Sequence, residues 1–555
     1  MKRAAIAFLV GAVLTWGRAG LAAAPVTATG RAGAVFEQQT VFESGRGGYT
    51  GYRIPALVVA TNGTILAFCE ARKNSLLDDG DIDLVLRRSE DGGRTWSPME
   101  ILADAGSQWM GSPAPVVDRD TGVVWLMFTQ SNTRTMLLSS GDNGKTWGQP
   151  VEITKDTKDP SWAWFIPGPG HGIQLRNGRL LVPSWALLQE PTGSTVSVAI
   201  YSDDHGRTWK RGQPLTFNAS DECQAVELSD GRLYLTLRNH GQESLPGSAR
   251  GQRGYAFSRD GGETWTPVQF DARLPEPKPQ YGCQGSVLRW TPPGAGGKAV
   301  VLFANPASTE TRKDLTVRLS EDDGRTWPVA KIVDDLTDSY TDRDWDRAAY
   351  SDMAVDPRGD VLLLSEASNY RKINLTRFNL PWLTDSGAPD HLVLMDEDPA
   401  LAAALTEVTC GAGTAEWITG DRFAGQGCLR ITPWGRYATR VKGWRYRIRE
   451  KPHPGEYRYL RFAWKSVDGR GINLQVAADG VFSANDQAAR SYCAGPSATS
   501  WAARSLSPDL PREWTVVTVD LWKDAGEFTL TGIAPTAVGG PALLDRLELL
   551  RSLDQ

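Results

Sequence analysis

Five copies of Ser-x-Asp-x-Gly-x-Thr-Trp recur along the first two-thirds of this 555-residue chain, at 89–96, 140–147, 202–209, 258–265 and 320–327. Their starts lie 51, 62, 56 and 62 residues apart. A recurrence of this length marks propellers, solenoids or arrays. Apolar or β-branched runs precede every copy (84–86, 136–138, 198–201, 255–257, 315–319) and follow four of them (99–102, 151–154, 268–270, 329–333). Strand, glycine-bearing turn, strand is a hairpin, so each copy reads as a stiff turn between two strands. In such a turn the Asp accepts hydrogen bonds from amides two residues on, and the Gly takes a backbone conformation other residues resist. The Trp buries its ring between neighbouring sheets while its N–H finds a partner. Five of the 21 tryptophans sit in these boxes. The boxes are structural, and no catalysis is expected from them.

Length allows more than one domain. An apolar fraction of 41% and a charged fraction of 23% are those of a globular chain, and 57 Gly with 33 Pro make it turn-rich, as all-β architectures are. The net charge of −5 argues against a generic nucleic-acid binder. It leaves an acidic substrate open, because a local arginine cluster can outweigh a mildly negative total. Residues 1–24 read as a signal peptide: Lys2 and Arg3, an apolar run over 4–16, then Ala22, Ala23 and Ala24 for cleavage. The run is too short, and Arg18 too close, for a stable membrane span, so the expected destination is the periplasm or beyond. The six cysteines, Cys69, Cys223, Cys283, Cys410, Cys428 and Cys493, include no Cys-x-x-Cys pair, which argues against a thiolate zinc site. In an exported chain Cys223 with Cys283, and Cys410 with Cys428, are candidate disulfides, with buried free thiols as the alternative.

Several stretches carry chemistry. Gly51-Tyr52-Arg53-Ile54-Pro55 precedes an apolar strand; Asp221-Glu222-Cys223-Gln224 is followed by Glu227 and by Leu237-Arg238-Asn239; Arg312 stands eight residues before the fifth box; Ala349-Tyr350-Ser351-Asp352 precedes Glu366 by sixteen residues from the tyrosine. With the five boxes, these stretches resemble the exo-sialidases, the neuraminidase family of glycoside hydrolase family 33 type, which also holds trans-sialidases. The resemblance covers about 35–380. It implies that Arg53, Arg238 and Arg312 grip a substrate carboxylate, Tyr350 is the nucleophile, Glu222 its base and Glu366 the anion orienting Arg53. Glu227 and Arg318 read as strand residues. The loop 77–83 holds Asp78, Asp79, Asp81 and Asp83; Asp78 matches the family's acid/base aspartate best and Asp79 second, while Asp81 or Asp83 bonds a glycerol tail or the local turn. Trp162, Trp164, Phe165 and His171 lie in a Gly/Pro-rich stretch that lines a sugar pocket or packs a sheet edge; Trp164 is the substrate-binding candidate. Bacterial relatives often carry an Asp near the acetamido pocket where this chain has Gly111-Ser112-Pro113, a departure that bears on N-acyl recognition.

The residue types fit the chemistry. Arginine matches a carboxylate with two parallel hydrogen bonds and stays charged. A carboxylate nucleophile would meet a centre already bearing a carboxylate, whereas a neutral tyrosine avoids that repulsion. Tyrosine, with a pKa of about 10, then needs an adjacent base. The resemblance implies an all-β chain: a six-bladed propeller over 35–382, five boxed blades and one unboxed blade built from 350–378 with the N-terminal strand. Beyond it, 385–389 reads as a linker, 400–405 as a short helix, and the alternating runs 457–464, 472–476 and 514–521 as a β-sandwich over 390–555, jelly-roll-like and either glycan-binding or structural. The implied function is a retaining exo-α-sialidase needing no metal or cofactor and acting on sialylated glycoprotein, glycolipid or oligosaccharide. The alternatives are a trans-sialidase and a non-catalytic box propeller that binds glycan or protein.

Overall fold

The computed structural model describes residues 26–27, 33–189, 193–217, 219–240, 250–277, 282–333, 348–385, 390–395, 399–407, 411–441, 443–484, 489–495 and 502–553. The expected signal peptide therefore lies outside the described residues, as do 386–389 of the expected linker.

Among the described residues up to 385, the strands form six antiparallel sheets of four or five strands, laid down in chain order. The first strand of each sheet is Gly51–Val59, Met110–Val117, Trp162–Pro167 continued by Ile173–Gln174, Ser220–Glu227, Ser286–Trp290 and Ala348–Val355. Gly51–Val59 contacts Met110–Val117 on one side and Ala348–Val355 on the other, so the six sheets close into a ring with these strands innermost. Four of these segments, Gly51–Val59, Met110–Val117, Ser220–Glu227 and Ala348–Val355, are buried almost throughout, because they face neighbouring sheets on both sides. The sixth sheet is completed by the N-terminal strand Phe36–Glu43, which pairs with Lys372–Phe378 from Phe36↔Phe378 to Glu43↔Lys372. That pairing ties the start of the ring to its end, as the unboxed unit anticipates.

The boxes connect the third and fourth strands of the first five sheets. In each, the box Gly amide donates to the box Ser hydroxyl at 2.8–2.9 Å, and the Asp carboxylate accepts both the Thr amide and the Thr hydroxyl. The Asp thus binds amides three and four residues on, not two, closing a wider turn than a simple Asx turn. Gly93 sits at φ +85°, and a Cβ there would meet Leu375 at 2.6 Å, so the position needs glycine. Trp209 donates to Gly206 O at 3.0 Å and Trp147 to Gly144 O at 3.3 Å, whereas the indole N–H groups of Trp96, Trp265 and Trp327 have no partner among the described residues. The strand after the third box, absent from the apolar pattern, is the charged two-residue Lys210–Arg211.

Beyond 390, two further six-stranded sheets share one core that joins Leu429, Phe462 and Trp464 of one sheet to Leu474, Tyr492 and Leu530 of the other. The alternating runs fall in strands Tyr459–Ser466, Gly471–Ala478 and Thr515–Asp520, and the short helix is Ala400–Glu407. The longest strands of this part, Phe528–Val538 and Ala542–Leu550, carry no alternation because they are buried along nearly their whole length. Of the two readings of Cys223 and Cys283, the structure has the buried free thiols and not the disulfide; Cys410 lies outside the described residues.

Candidate active site

The innermost strands all begin at the same end of the ring, and the singled-out residues lie at those beginnings. Arg53 is the third residue of Gly51–Val59, Glu222 the third of Ser220–Glu227 and Tyr350 the third of Ala348–Val355. Each of these strands carries a register irregularity there, between Arg53 and Ala56, Ser220 and Cys223, and Ala348 and Ser351. Bulges turn side chains out of the alternating pattern, and here they turn them toward one centre.

Two buried carboxylates organise that centre. Glu366, on Val361–Ala367, accepts Arg53 Nε at 2.7 Å and the Ile54 amide at 2.8 Å on one oxygen, and the Tyr350 amide at 3.1 Å on the other. Glu222 accepts the Tyr350 hydroxyl on one oxygen and Arg238 Nη1 at 2.6 Å on the other, and the same Arg238 nitrogen donates to the Tyr350 hydroxyl at 3.0 Å. Arg312 comes from the connection before Leu315–Ser320; its guanidinium lies 5.6 Å from the Tyr350 ring centroid and donates to Gly282 O at 3.3 Å. Arg53 lies 5.5 Å from the same centroid. Three arginines therefore surround one tyrosine. Burial disfavours the charge on Arg53, but Glu366 outweighs it, and the guanidinium pKa ends above its ordinary value. Burial also raises the Tyr350 phenol well above its usual range, with the Glu222 charge adding to it and Arg238 and Arg312 pulling the other way. Tyr350 is thus a neutral phenol in direct contact with a carboxylate.

Asp78 lies in the loop between Ile65–Arg72 and Ile82–Ser89, its side chain 74% exposed, and pairs with Arg72 at 2.7 Å. Partial desolvation raises its carboxyl, but Arg72, Arg53 and Arg312 outweigh this and hold it below the usual value. Asp79 is exposed and makes no hydrogen bond or ion pair with a described residue, so the structure joins Asp78 and not Asp79 to the cluster. Asp83 is buried against the Tyr49 hydroxyl at 2.6 Å and Lys73, and Asp81 pairs with Lys73, which makes both part of the local framework. Glu227 pairs with Arg176 at 3.2 Å at the far end of its strand, and Arg318 donates to Asn305 at 3.1 Å; neither belongs to the centre. Trp164 is the third residue of Trp162–Pro167, 40% exposed, without ring stacking on or a hydrogen bond to the cluster.

Four neighbours went unforeseen. Tyr370 lies under Arg53, 4.3 Å from guanidinium to ring centroid, and accepts from Arg312 at 3.5 Å. Asp221 is buried beside Glu222, accepting its amide at 2.7 Å and lying 3.9 Å from Arg238 Nε. Arg72 and Glu70 form a fully buried pair at 2.6 Å, and Glu70 also accepts the Ser112 amide at 2.9 Å and the Trp109 indole at 3.3 Å. Charged residues inside an otherwise apolar strand, as in 65–72, were the available signal.

An all-β chain of box-linked sheets, carrying a buried arginine–tyrosine–carboxylate centre, defines the class. The family model for the BNR repeat-like domain matches residues 36–363. The sialidase of Micromonospora viridifaciens is 33% identical over 398 residues, 66% of this chain and 57% of that protein. The exo-alpha-sialidase of Aspergillus fumigatus is 30% identical over 379 residues, 60% of this chain and 86% of that protein. A solved Trypanosoma rangeli sialidase superposes with a TM-score of 0.51 at 16% identity over 93% of this chain and 96% of its own, which extends the likeness of fold into the C-terminal part. This chain belongs to the sialidase family, although it spans little more than half the length of the Micromonospora relative.

Proposed function

We propose that this protein is a retaining exo-α-sialidase, which releases terminal sialic acids from glycoprotein, glycolipid or oligosaccharide through a tyrosine-linked intermediate. The observation that carries the reading is the Tyr350 hydroxyl donating to Glu222 amid Arg53, Arg238 and Arg312. The substrate carboxylate sits among the three arginines, which orients its anomeric carbon over Tyr350. Tyr350 attacks that carbon as its proton passes to Glu222, and the bond to the aglycone oxygen breaks as Asp78 protonates it. Asp78 then takes a proton from water, whose oxygen displaces Tyr350, and Glu222 returns the phenol proton. Two displacements give retention. Glu366 keeps Arg53 in place, and Trp164 is an exposed ring at the rim for the rest of the glycan.

The rest of the chain supports this centre. We read 35–382 as a six-bladed β-propeller whose blades are the six sheets, 390–555 as a C-terminal β-sandwich, and 1–24 as a signal peptide that sends the protein to the periplasm or outside the cell.

Proton NMR of the products from a 4-methylumbelliferyl sialoside and from a sialyllactose tests the reading. The α-anomer of free sialic acid as first product is expected. A β-anomer first would refute retention; a 2,7-anhydro sugar or transfer to added lactose would make the protein a trans-sialidase; no release by folded protein would leave a glycan-binding propeller.

A further inference from the structure

The ring has a second opening. At the far ends of the innermost strands lies a cavity of about 640 Å³, walled by apolar residues such as Leu57, Val226 and Met353 and by the charged Arg119, Arg289 and the Arg176–Glu227 pair. Six residues separate Arg53 from Val59, which at about 3.3 Å per residue puts roughly 20 Å between the arginine centre and this mouth. A hydrogen-bonded polar layer lies between them. The Asp352 carboxylate accepts the Leu57 amide at 2.8 Å, the His171 amide at 2.9 Å and Gln224 Nε2 at 2.9 Å, tying three sheets and the His171 loop together.

Three hydrogen-bond donors line this cavity: the exposed Arg119, the half-buried Arg289 and His171. His171 lines it with a side chain only 9% exposed; Nδ1 is committed to Asp352 at 2.6 Å, and no described residue hydrogen-bonds Nε2. Arg119 and Arg289 stand on its wall, and neither has a carboxylate within ion-pair reach among the described residues. Arg119 spends its donors on Gln174 and Arg289 donates to Glu227 O at 3.0 Å. A cavity of about 300–1,000 Å³ lined by apolar side chains with a few polar groups among them is the ordinary make-up of a small-molecule site. With Nδ1 held by Asp352, Nε2 is the His171 ring atom left to bond a ligand of the cavity.

We infer that this cavity is a second binding site, for a small amphipathic organic anion whose apolar body fills the channel and whose carboxylate or sulfonate meets Arg289, Arg119 and His171 Nε2. Burial disfavours a charged imidazole at His171, but Asp352 outweighs it and raises the pKa, which favours a donor at Nε2 over an acceptor. The inference does not depend on the sialidase reading, since it uses none of the arginine centre.

The test is a fluorescence titration of the full-length protein with 8-anilinonaphthalene-1-sulfonate, beside the uncharged N-phenyl-1-naphthylamine. Saturable one-site binding of the sulfonate is expected, with the uncharged probe weaker by about ten-fold, the worth of one charge-assisted hydrogen bond. Arg289→Ala is expected to weaken the sulfonate by a similar factor, Val355→Trp to fill the cavity and remove binding, and Arg53→Ala to leave it unchanged. No saturable binding, equal affinity for both probes, or a loss in Arg53→Ala would overturn the inference. So would full binding in a natively folded Val355→Trp protein; should that variant not fold, Arg289→Ala decides, and unchanged affinity there overturns it.

Discussion

Arg72 holds Asp78 at 2.7 Å while its own guanidinium is buried on Glu70 at 2.6 Å, so the exposed loop acid is anchored through a fully buried pair. Arg72 also donates to Leu76 O, which fixes the loop on both sides of its turn. A general acid held below its usual pKa is protonated only at acid pH in the free protein, so kcat/KM is expected to fall as pH rises through that low value. Asp78→Asn should cost about 10²–10⁴-fold on natural glycosides and far less on an aryl sialoside, whose leaving oxygen needs little protonation. Asp79→Asn should stay close to wild type. Rates on both substrate types check this, and equal losses for the two variants would remove Asp78 from the role.

The Tyr350–Glu222 contact makes a separate prediction. Tyr350→Phe should lower turnover by about 10³-fold or more, because the nucleophile and its protonated oxygen both vanish. Stability should change by only about 1 kcal/mol, the worth of one hydrogen bond, since Glu222 keeps Arg238 at 2.6 Å. Urea unfolding beside single-turnover kinetics separates the two effects. Turnover within a few-fold of wild type would mean that Tyr350 is not the nucleophile.

Much of the ring was legible because each sheet repeats a local pattern: alternating strands around a glycine turn. Lys210–Arg211 escaped that pattern because an outermost strand faces solvent and needs no apolar side chain. Ala542–Leu550 escaped it for the opposite reason, being buried along almost its whole length. Arg53, Glu222, Arg238, Arg312, Tyr350 and Glu366 were legible from short stretches flanking strands, and the bulges bring them together. Arg72, Glu70, Asp221 and Tyr370 were not: the charges of 65–72 and Asp221 gain their meaning only once burial is known, and Tyr370 only through contacts across the fold. Tyr370 touches Arg312 from 58 residues away, and no local spacing encodes that.

Glu366 is expected to matter for stability as well as binding. Its loss in Glu366→Ala strands Arg53 and two backbone amides, and removing one partner of a buried pair costs about 3–5 kcal/mol. Glu366→Gln keeps acceptor oxygen for part of that set and should cost less. Where the variants fold, KM should rise, as it should in Arg53→Ala, with kcat less affected, because the first arginine is freed to move. A KM unchanged in Glu366→Gln would show that Arg53 needs no anchor.

Asp221 gives the pH dependence a sign. Burial pushes its carboxyl far above the usual carboxylate range, against the pull of Arg238 and with help from the Glu222 charge beside it. In the unfolded chain the same group ionises near pH 3.9. Between that pH and the raised folded value the folded protein holds a proton that the unfolded chain does not, so this group's contribution to stability falls as pH rises. Asp221→Asn carries no such proton, yet its carbonyl oxygen can still accept the Glu222 amide. The variant should therefore be little changed at pH 5 and more stable than wild type at pH 8. Melting temperatures of both proteins across that range check this. A variant destabilised equally at both ends would mean that Asp221 is ionised in the folded protein and serves Arg238 as a counter-charge.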